Sequence, residues 1–171
     1  EYPFGMSFGK WLLEFLLIAA GMGVLAFFVG EMLPRRWFNP DAFPYRCAKW
    51  EQGGAFYEKL RIRYWKDIFP DMSRFIPQTF RKKAGLSRDP EHAARLIVET
   101  CSAEAVHWGL MLVSLLYPIV MGPAGWICYF LYNLLGNVPP ILIQRYNRPR
   151  LQKMLTMMRA RAAKRPREED A

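Results

Sequence analysis

Glu104 and His107 lie three residues apart in a stretch that holds no helix breaker between Pro90 and Pro118. On a helix they share one face, with Thr100 on the same stripe and Arg95 and Glu99 further back. A histidine beside a carboxylate is the minimum equipment for drawing a proton from a hydroxyl. The carboxylate orients the imidazole and stabilises its cation. His107 is also the first titratable side chain in the apolar run Ala105 to Met121. A second set of polar residues follows thirty positions later. Asn137 precedes Pro139 and Pro140, and Gln144, Arg145, Asn147, Arg148 and Arg150 come after them. Neither proline donates a backbone N–H, so a helix here is expected to kink or break, leaving carbonyls that need protein or a wet cavity as partners. The planar guanidinium groups suit a phosphate, a carboxylate or a developing oxyanion. No serine or cysteine stands at nucleophile spacing, which favours direct transfer over a covalent intermediate. The same residues also fit a plainer role, with His107 and Trp108 as an interfacial anchor and the arginine run in contact with lipid headgroups.

Three apolar segments must position these groups. The chain has 171 residues and is 52% hydrophobic, yet its mean hydropathy is only -0.05. The apolar residues are therefore concentrated. Trp11 to Gly30 is long enough to cross a bilayer, which takes about 20 residues. Its lead-in holds only Glu1 and Lys10 and no small-residue cleavage signal, so a spanning helix is expected rather than a signal peptide. Gly21 and Gly23 offer a close approach to a neighbouring helix. Asp89-Pro90-Glu91 is a helix start, and one helix is expected from Pro90 to Met121, charged before Glu104 and apolar after Ala105. Gly122-Pro123-Ala124-Gly125 reads as a turn, and Trp126 to Ile143 as the returning segment.

The intervening residues 31–103 hold fourteen Lys/Arg and nine Asp/Glu, interleaved with aromatics and chopped by prolines. A helix is expected from Gly54 to Lys66, with Phe56, Leu60 and Tyr64 on one face, and a second around Met72 to Lys83. Basic residues among Trp and Tyr suit a headgroup layer; a small soluble subdomain with an aromatic core is the other reading. In the tail, Leu151, Met154, Leu155 and Met158 stand at helical spacing, and the basic stretch Arg159 to Arg167 is expected to fray.

The formal charge of +9 suits either nucleic acid or anionic lipid, and its segregation from membrane-length apolar runs favours lipid over nucleic acid. Cys47, Cys101 and Cys128 are dispersed and odd in number, and only two histidines are present, so reduced thiols and no metal are expected. The 31–103 and 144–171 regions carry fourteen and nine of the 24 basic residues, and the 122–125 turn carries none. The positive-inside rule then puts both charged regions in the cytoplasm and the N-terminus outside. The expected architecture is one all-α integral membrane domain over residues 1–171. It has spans at 11–30, 105–121 and 126–143, an interfacial cytoplasmic region at 31–103 and a basic cytoplasmic tail at 144–171. Antiparallel pairing of the second and third spans would bring His107 near Asn137, Gln144 and Arg145.

Glu99 to Trp108 and Asn137 to Leu151, together with Tyr57-Glu58-Lys59 and Arg61-Ile62-Arg63-Tyr64-Trp65-Lys66, resemble the glycosyl-4,4'-diaponeurosporenoate acyltransferase family. These are small bacterial membrane enzymes that finish staphyloxanthin-type carotenoids. The resemblance covers roughly residues 45 to 155, most specifically at Gln144–Arg150. It implies transfer of a fatty acyl group to a sugar hydroxyl of a glycolipid in a bacterial cell membrane, without requiring a carotenoid acceptor. The expected machinery is His107 as general base, oriented by Glu104. Substrate binding is assigned to Asn137, Gln144, Arg145, Asn147, Arg148, Arg150, Trp108, Lys59, Arg63, Trp65 and Lys66. The arginines and lysines would meet donor phosphates or the acceptor headgroup, and Asn137 and Gln144 sugar or carbonyl oxygens. No cofactor is expected beyond an acyl thioester co-substrate, of coenzyme A or acyl carrier protein; the other partners are membrane lipid and the glycolipid acceptor. Two further readings fit the sequence: a non-catalytic membrane scaffold that binds anionic lipid, and an enzyme acting on an isoprenoid phosphate or phospholipid headgroup.

Overall fold

A computed structural model describes residues 7–68 and 90–164. The expected helix around Met72 to Lys83, the cap at Asp89 and the end of the tail lie outside these residues. Among the described residues every regular element is helical. In order they are α1 (Phe8–Met32), a 3-10 turn (Arg35–Trp37), a 3-10 segment (Lys49–Gly54), α2 (Ala55–Lys59), α3 (Ile62–Trp65), a 3-10 turn (Lys66–Ile68), α4 (Pro90–Val113), α5 (Leu116–Met121), a 3-10 turn (Gly122–Ala124), α6 (Gly125–Tyr132), a π-helical segment (Asn133–Asn137) and α7 (Val138–Lys164). Two helical stretches are long and apolar enough to cross a membrane, one being Phe8–Met32 and the other within Pro90–Ala163. Among the described residues the protein is thus all-helical, with two candidate membrane-spanning helices. The chain, read above as one domain, clusters into two compact units: residues 1–37 with 102–142, and residues 38–101 with 143–171.

In the first unit, Ser7 caps α1 by accepting from the Lys10 amide at 3.4 Å. At the other end Arg35 donates to the carbonyls of Gly30 and Leu33, at 2.6 and 2.8 Å, groups that a helix terminus leaves unpaired. Gly21 and Gly23 have open space around them, so the close approach expected there falls elsewhere, at Gly30 against Val106 and at Gly125. A Cβ on Gly125 would sit 2.2 Å from the Tyr117 carbonyl oxygen. That contact is what lets α5 turn directly into α6. Around it Tyr117, Met121 and Cys128 are buried, with Trp11, Phe15, Ile18 and Met22 of α1 packed against them. The Tyr117 hydroxyl donates to the Phe15 carbonyl at 3.3 Å.

The expected single helix from Pro90 to Met121 is interrupted at Ser114 and Leu115. Pro118 supplies the reason. It cannot donate to the Ser114 carbonyl one turn back, and Tyr117 takes that carbonyl instead, at 3.0 Å. The break expected at Pro139 and Pro140 does not occur. The helix widens into the π-helical turn just upstream, where Val138 donates to the Asn133 carbonyl, and both prolines fall in the first turn of α7. Α7 then runs on through Pro149 to Lys164, past the expected fraying point at Arg159.

The second unit is stitched by buried charges. Glu51, 1% exposed, accepts from Arg145 Nε and Nη2 at 2.7 and 2.9 Å, from the Tyr57 hydroxyl and from the Ala48 amide. Burial alone would raise the Glu51 carboxyl. Arg145, Tyr57 and Ala48 together outweigh it and hold the group below its ordinary value. The helix expected from Gly54 to Lys66 is split, because Arg61 adopts a left-handed conformation at φ 53° between α2 and α3. The buried side chains are accordingly Tyr57 and Ile62, while Leu60 and Tyr64 are exposed. Gly54, at φ 93°, lies where a Cβ would sit 2.9 Å from Arg150 Nη1. On α7, Leu151, Met154, Leu155 and Met158 form the stripe their spacing predicts and pack on Ala93, Ala94 and Ile97 of α4.

Two predictions follow from these contacts. Gly125→Ala should lower the stability of the detergent-solubilised protein by about 1–3 kcal/mol or more, while Gly23→Ala leaves the melting temperature unchanged; equal effects would contradict the close approach at Gly125. Glu51→Gln should cost about 3 kcal/mol at pH 7, the usual scale for breaking a buried pair. Because the folded carboxyl titrates below its unfolded value, the stability it contributes is present above about pH 4.5 and is lost as the pH falls through the folded pKa. The gap between wild type and Glu51→Gln should therefore narrow on acidification, and a constant gap would exclude the ion pair as its cause.

Candidate active site

The functional candidates fall into the two units. In the first unit α4, α6 and the π-helical turn carry a buried polar chain. His107 Nδ1 lies 3.0 Å from Asn137 Oδ1. Asn137 Nδ2 donates to Asn133 Oδ1 at 3.0 Å. Asn133 Nδ2 donates to Ser114 Oγ and to the Tyr129 carbonyl, both at 2.9 Å, and Ser114 Oγ donates to the Met111 carbonyl at 2.8 Å. Asn133 is 5% exposed, Asn137 1% and Ser114 0%. Around them α4, α5 and the π-helical turn expose Leu112, Leu116, Ile119, Leu134 and Leu135. A polar chain beneath such a lipid-like surface is costly unless every member is paired.

Glu104 is fully buried and accepts from the Trp108 indole Nε1 at 3.3 Å. Spacing suggested Glu104 as the group that orients His107. The imidazole's hydrogen-bond partner is instead Asn137, and Asn137, expected to face substrate, is enclosed between His107 and Asn133. An i, i+3 spacing fixes a shared face but not which side-chain atoms meet. Asn133 and Ser114 were not singled out from the sequence. The signal that could have found them is the isolated polar residue inside an apolar run.

In the second unit the three arginines are engaged by the protein itself. Arg145 binds Glu51 and donates to the Pro44 carbonyl at 3.0 Å. Arg148, 2% exposed, donates from Nε to Thr100 Oγ1 at 2.8 Å, from Nη2 to the Thr100 carbonyl at 3.0 Å and from Nη1 to the Tyr45 carbonyl at 2.7 Å. Arg150 pairs with Glu58 and lies over the Tyr146 ring, 3.6 Å from its centroid. The Tyr146 hydroxyl also donates to Glu58, at 3.0 Å, and burial followed by that carboxylate pushes the phenol above its ordinary value. These contacts make the Gln144–Arg150 run a tie between α7, the loop 38–48 and α2 within this unit. Gln144 and Asn147 are half-buried on α7. Lys59 and Arg63 are exposed, and Lys66 and Trp65 half-buried, with Lys66 Nζ 5.9 Å above the Tyr146 ring and Trp65 Nε1 donating to the Leu60 carbonyl at 2.9 Å. A shallow crevice beside Glu51 and Arg145, with no enclosed room for a water molecule, is lined by Tyr45, Cys47, Arg148 and Pro149 as well. Glu51 also went unremarked in the sequence, hidden among 23 charged residues of that stretch, and Tyr57 and Glu58 entered only through the family resemblance.

No solved structure matches this chain. Relatives named glycosyl-4,4'-diaponeurosporenoate acyltransferase, from Staphylococcus aureus strains N315, USA300 and COL, are each 26% identical over 137 residues, which covers 78% of this chain and 81% of theirs. The model of the family of that name matches residues 34–157, a stretch that takes in Glu51, His107, Asn137 and the whole Gln144–Arg150 run. The chain therefore belongs to the glycosyl-4,4'-diaponeurosporenoate acyltransferase family and is an acyltransferase.

Proposed function

We propose that this protein moves a fatty acyl group from an acyl thioester to a hydroxyl of a glycolipid held in the membrane, with His107 as general base. The observation that carries the reading is the buried polar chain ending at His107, in a chain that belongs to an acyltransferase family. The imidazole Nε2 takes the proton of the acceptor hydroxyl as its oxygen bonds to the acyl carbonyl carbon. The C–S bond then breaks, and the departing thiolate receives that proton from Nε2. An ester and a free thiol result. Glu104, on the same face of α4, supplies charge that stabilises the transient imidazolium.

The acceptor class is that named for the relatives, a glycosylated diapocarotenoid acid or a glycolipid of similar shape. The donor is a thioester of coenzyme A or of acyl carrier protein, whose phosphates are met by Lys59, Arg63 and Lys66. Trp108 of the first unit meets the acceptor, and Trp65, Gln144 and Asn147 of the second suit polar and apolar parts of the donor. Arg145, Arg148 and Arg150 support this by holding the α7 stretch that carries Gln144 and Asn147. The chain crosses the bacterial plasma membrane three times, by α1 and by the two arms that meet at Gly122–Ala124, with the N-terminus outside. Two contacts support the second of these crossings. Tyr117 meets Phe15 and Val106 meets Gly30, so residues 106–117 run alongside residues 15–30 of α1, roughly 22 Å of helix at 1.5 Å per residue.

The test is acyl transfer by the purified protein in mixed micelles, with a radiolabelled acyl thioester and a glycosylated acceptor. His107→Ala should lower kcat by about 10²-fold or more, within the range general bases contribute, and Glu104→Gln by less. Lys59→Ala with Arg63→Ala should raise the donor KM with little change in kcat. Turnover near wild type in a folded His107→Ala protein would eliminate the base assignment.

A further inference from the structure

The hydrogen-bond chain has a direction, and that direction reaches the imidazole. It starts at Tyr129, whose backbone carbonyl can only accept. The side-chain nitrogen of Asn133 must therefore face it, at 2.9 Å. The same nitrogen also reaches Ser114 Oγ, whose proton is already given to the Met111 carbonyl. With its nitrogen so committed, Asn133 turns its oxygen toward Asn137, and Asn137 must answer with its own nitrogen, at 3.0 Å. That leaves the Asn137 oxygen facing His107 Nδ1, at 3.0 Å. An amide oxygen cannot donate, so the proton on that contact belongs to Nδ1. A neutral His107 then has Nε2 bare.

We infer that Asn137, Asn133 and Ser114 form a positioning relay that locks His107 in the Nδ1–H tautomer and so presents Nε2 as the base. This rests on the reading of His107 as general base and adds what makes the ring competent. Free histidine divides its proton between the two nitrogens, and a base in the wrong tautomer has no lone pair where the hydroxyl arrives. The relay removes that choice from outside the reacting atoms. None of its three members is exposed enough to touch substrate.

The backbone supports the same assignment. Asn133 and Asn137 are the first and last residues of the π-helical turn, and both point inward while Leu134, Leu135 and Gly136 between them are exposed. Such turns cost hydrogen-bond geometry and are found most often at functional sites. Asn133 on Ser114 already joins the two arms, and Asn137 adds a second bond whose acceptor is set on the imidazole.

Nitrogen NMR of the wild-type protein carrying ¹⁵N-labelled histidine tests the tautomer without any variant. The chain has two histidines, and the spectrum of His107→Ala assigns the missing set to His107. A protonated Nδ1 with a bare Nε2 at neutral pH is the expected result. The Nε2–H tautomer overturns the relay even if His107→Ala is inactive. Conversely, an active His107→Ala protein overturns the general-base reading whatever tautomer is seen. Kinetics then separate positioning from packing. Asn137→Ala should lower kcat by about 10²-fold with KM unchanged. Asn137→Asp, which still accepts from Nδ1 but gives up the N–H that Asn133 Oδ1 receives, should recover part of that loss. If Asn137→Asp and Asn137→Ala are equally impaired at equal melting temperature, Asn137 does not act through the Nδ1 proton and the relay is wrong.

Discussion

Asn133 holds the first unit at its most exacting point. One amide nitrogen serves its own helix through Tyr129 and the opposite arm through Ser114, and the oxygen serves Asn137. The surroundings are Leu, Ile and Phe, where an unpaired amide costs several kcal/mol. No member of the chain has freedom to turn over without breaking another bond. The directionality that starts at a backbone carbonyl is thus carried two side chains further, to an imidazole. A hairpin packed by apolar residues alone would be just as adhesive in lipid, but it would not set a proton.

The second unit solves a different problem with the same rule. Its sequence brings many cations together with few acids, and two of those acids, Glu51 and Glu58, are spent on Arg145 and Arg150. Arg148 is wrapped by the Thr100 hydroxyl, two carbonyls and the Tyr45 ring, 5.5 Å from its centroid. A planar fork of five donors allows this, whereas a lysine would reach one or two of those acceptors. The Gln144–Arg150 run, on which the resemblance rested most, is therefore also the run that assembles this unit. Its arginines sit where a loop without regular structure needs to be pinned to a long helix.

Much of the framework was legible. The apolar segments, the turn at Gly122-Pro123-Ala124-Gly125 and the stripe at Leu151, Met154, Leu155 and Met158 follow from hydropathy, turn chemistry and a 3.6-residue period. The approach of His107 to Asn137 follows once residues 105–121 and 126–143 are taken as antiparallel. The prolines were harder. Pro118 acts one turn upstream, at Ser114, and Pro139 and Pro140 are accommodated by a wider helix rather than by a break. A proline tells where a hydrogen bond is lost but not which local geometry absorbs the loss. The face of the 54–66 segment was misjudged for a similar reason, since the left-handed turn at Arg61 resets the phase that the periodicity assumed.

What the amino-acid order determined by itself is where the chain can be apolar, where it must turn, and that a histidine stands at the charged edge of an apolar helix. These are properties of neighbours in sequence, set by side-chain solubility and by backbone sterics. Which carboxyl or amide meets the imidazole, and which arginines face protein, were decided only by the tertiary structure. Hydrogen bonds depend on angles and on distances to within a few tenths of an ångström, between groups as far apart in sequence as His107 and Asn137 or Glu51 and Arg145. A π-helical turn or one left-handed residue shifts those distances by more than that tolerance, and neither leaves a clear mark on the hydropathy pattern.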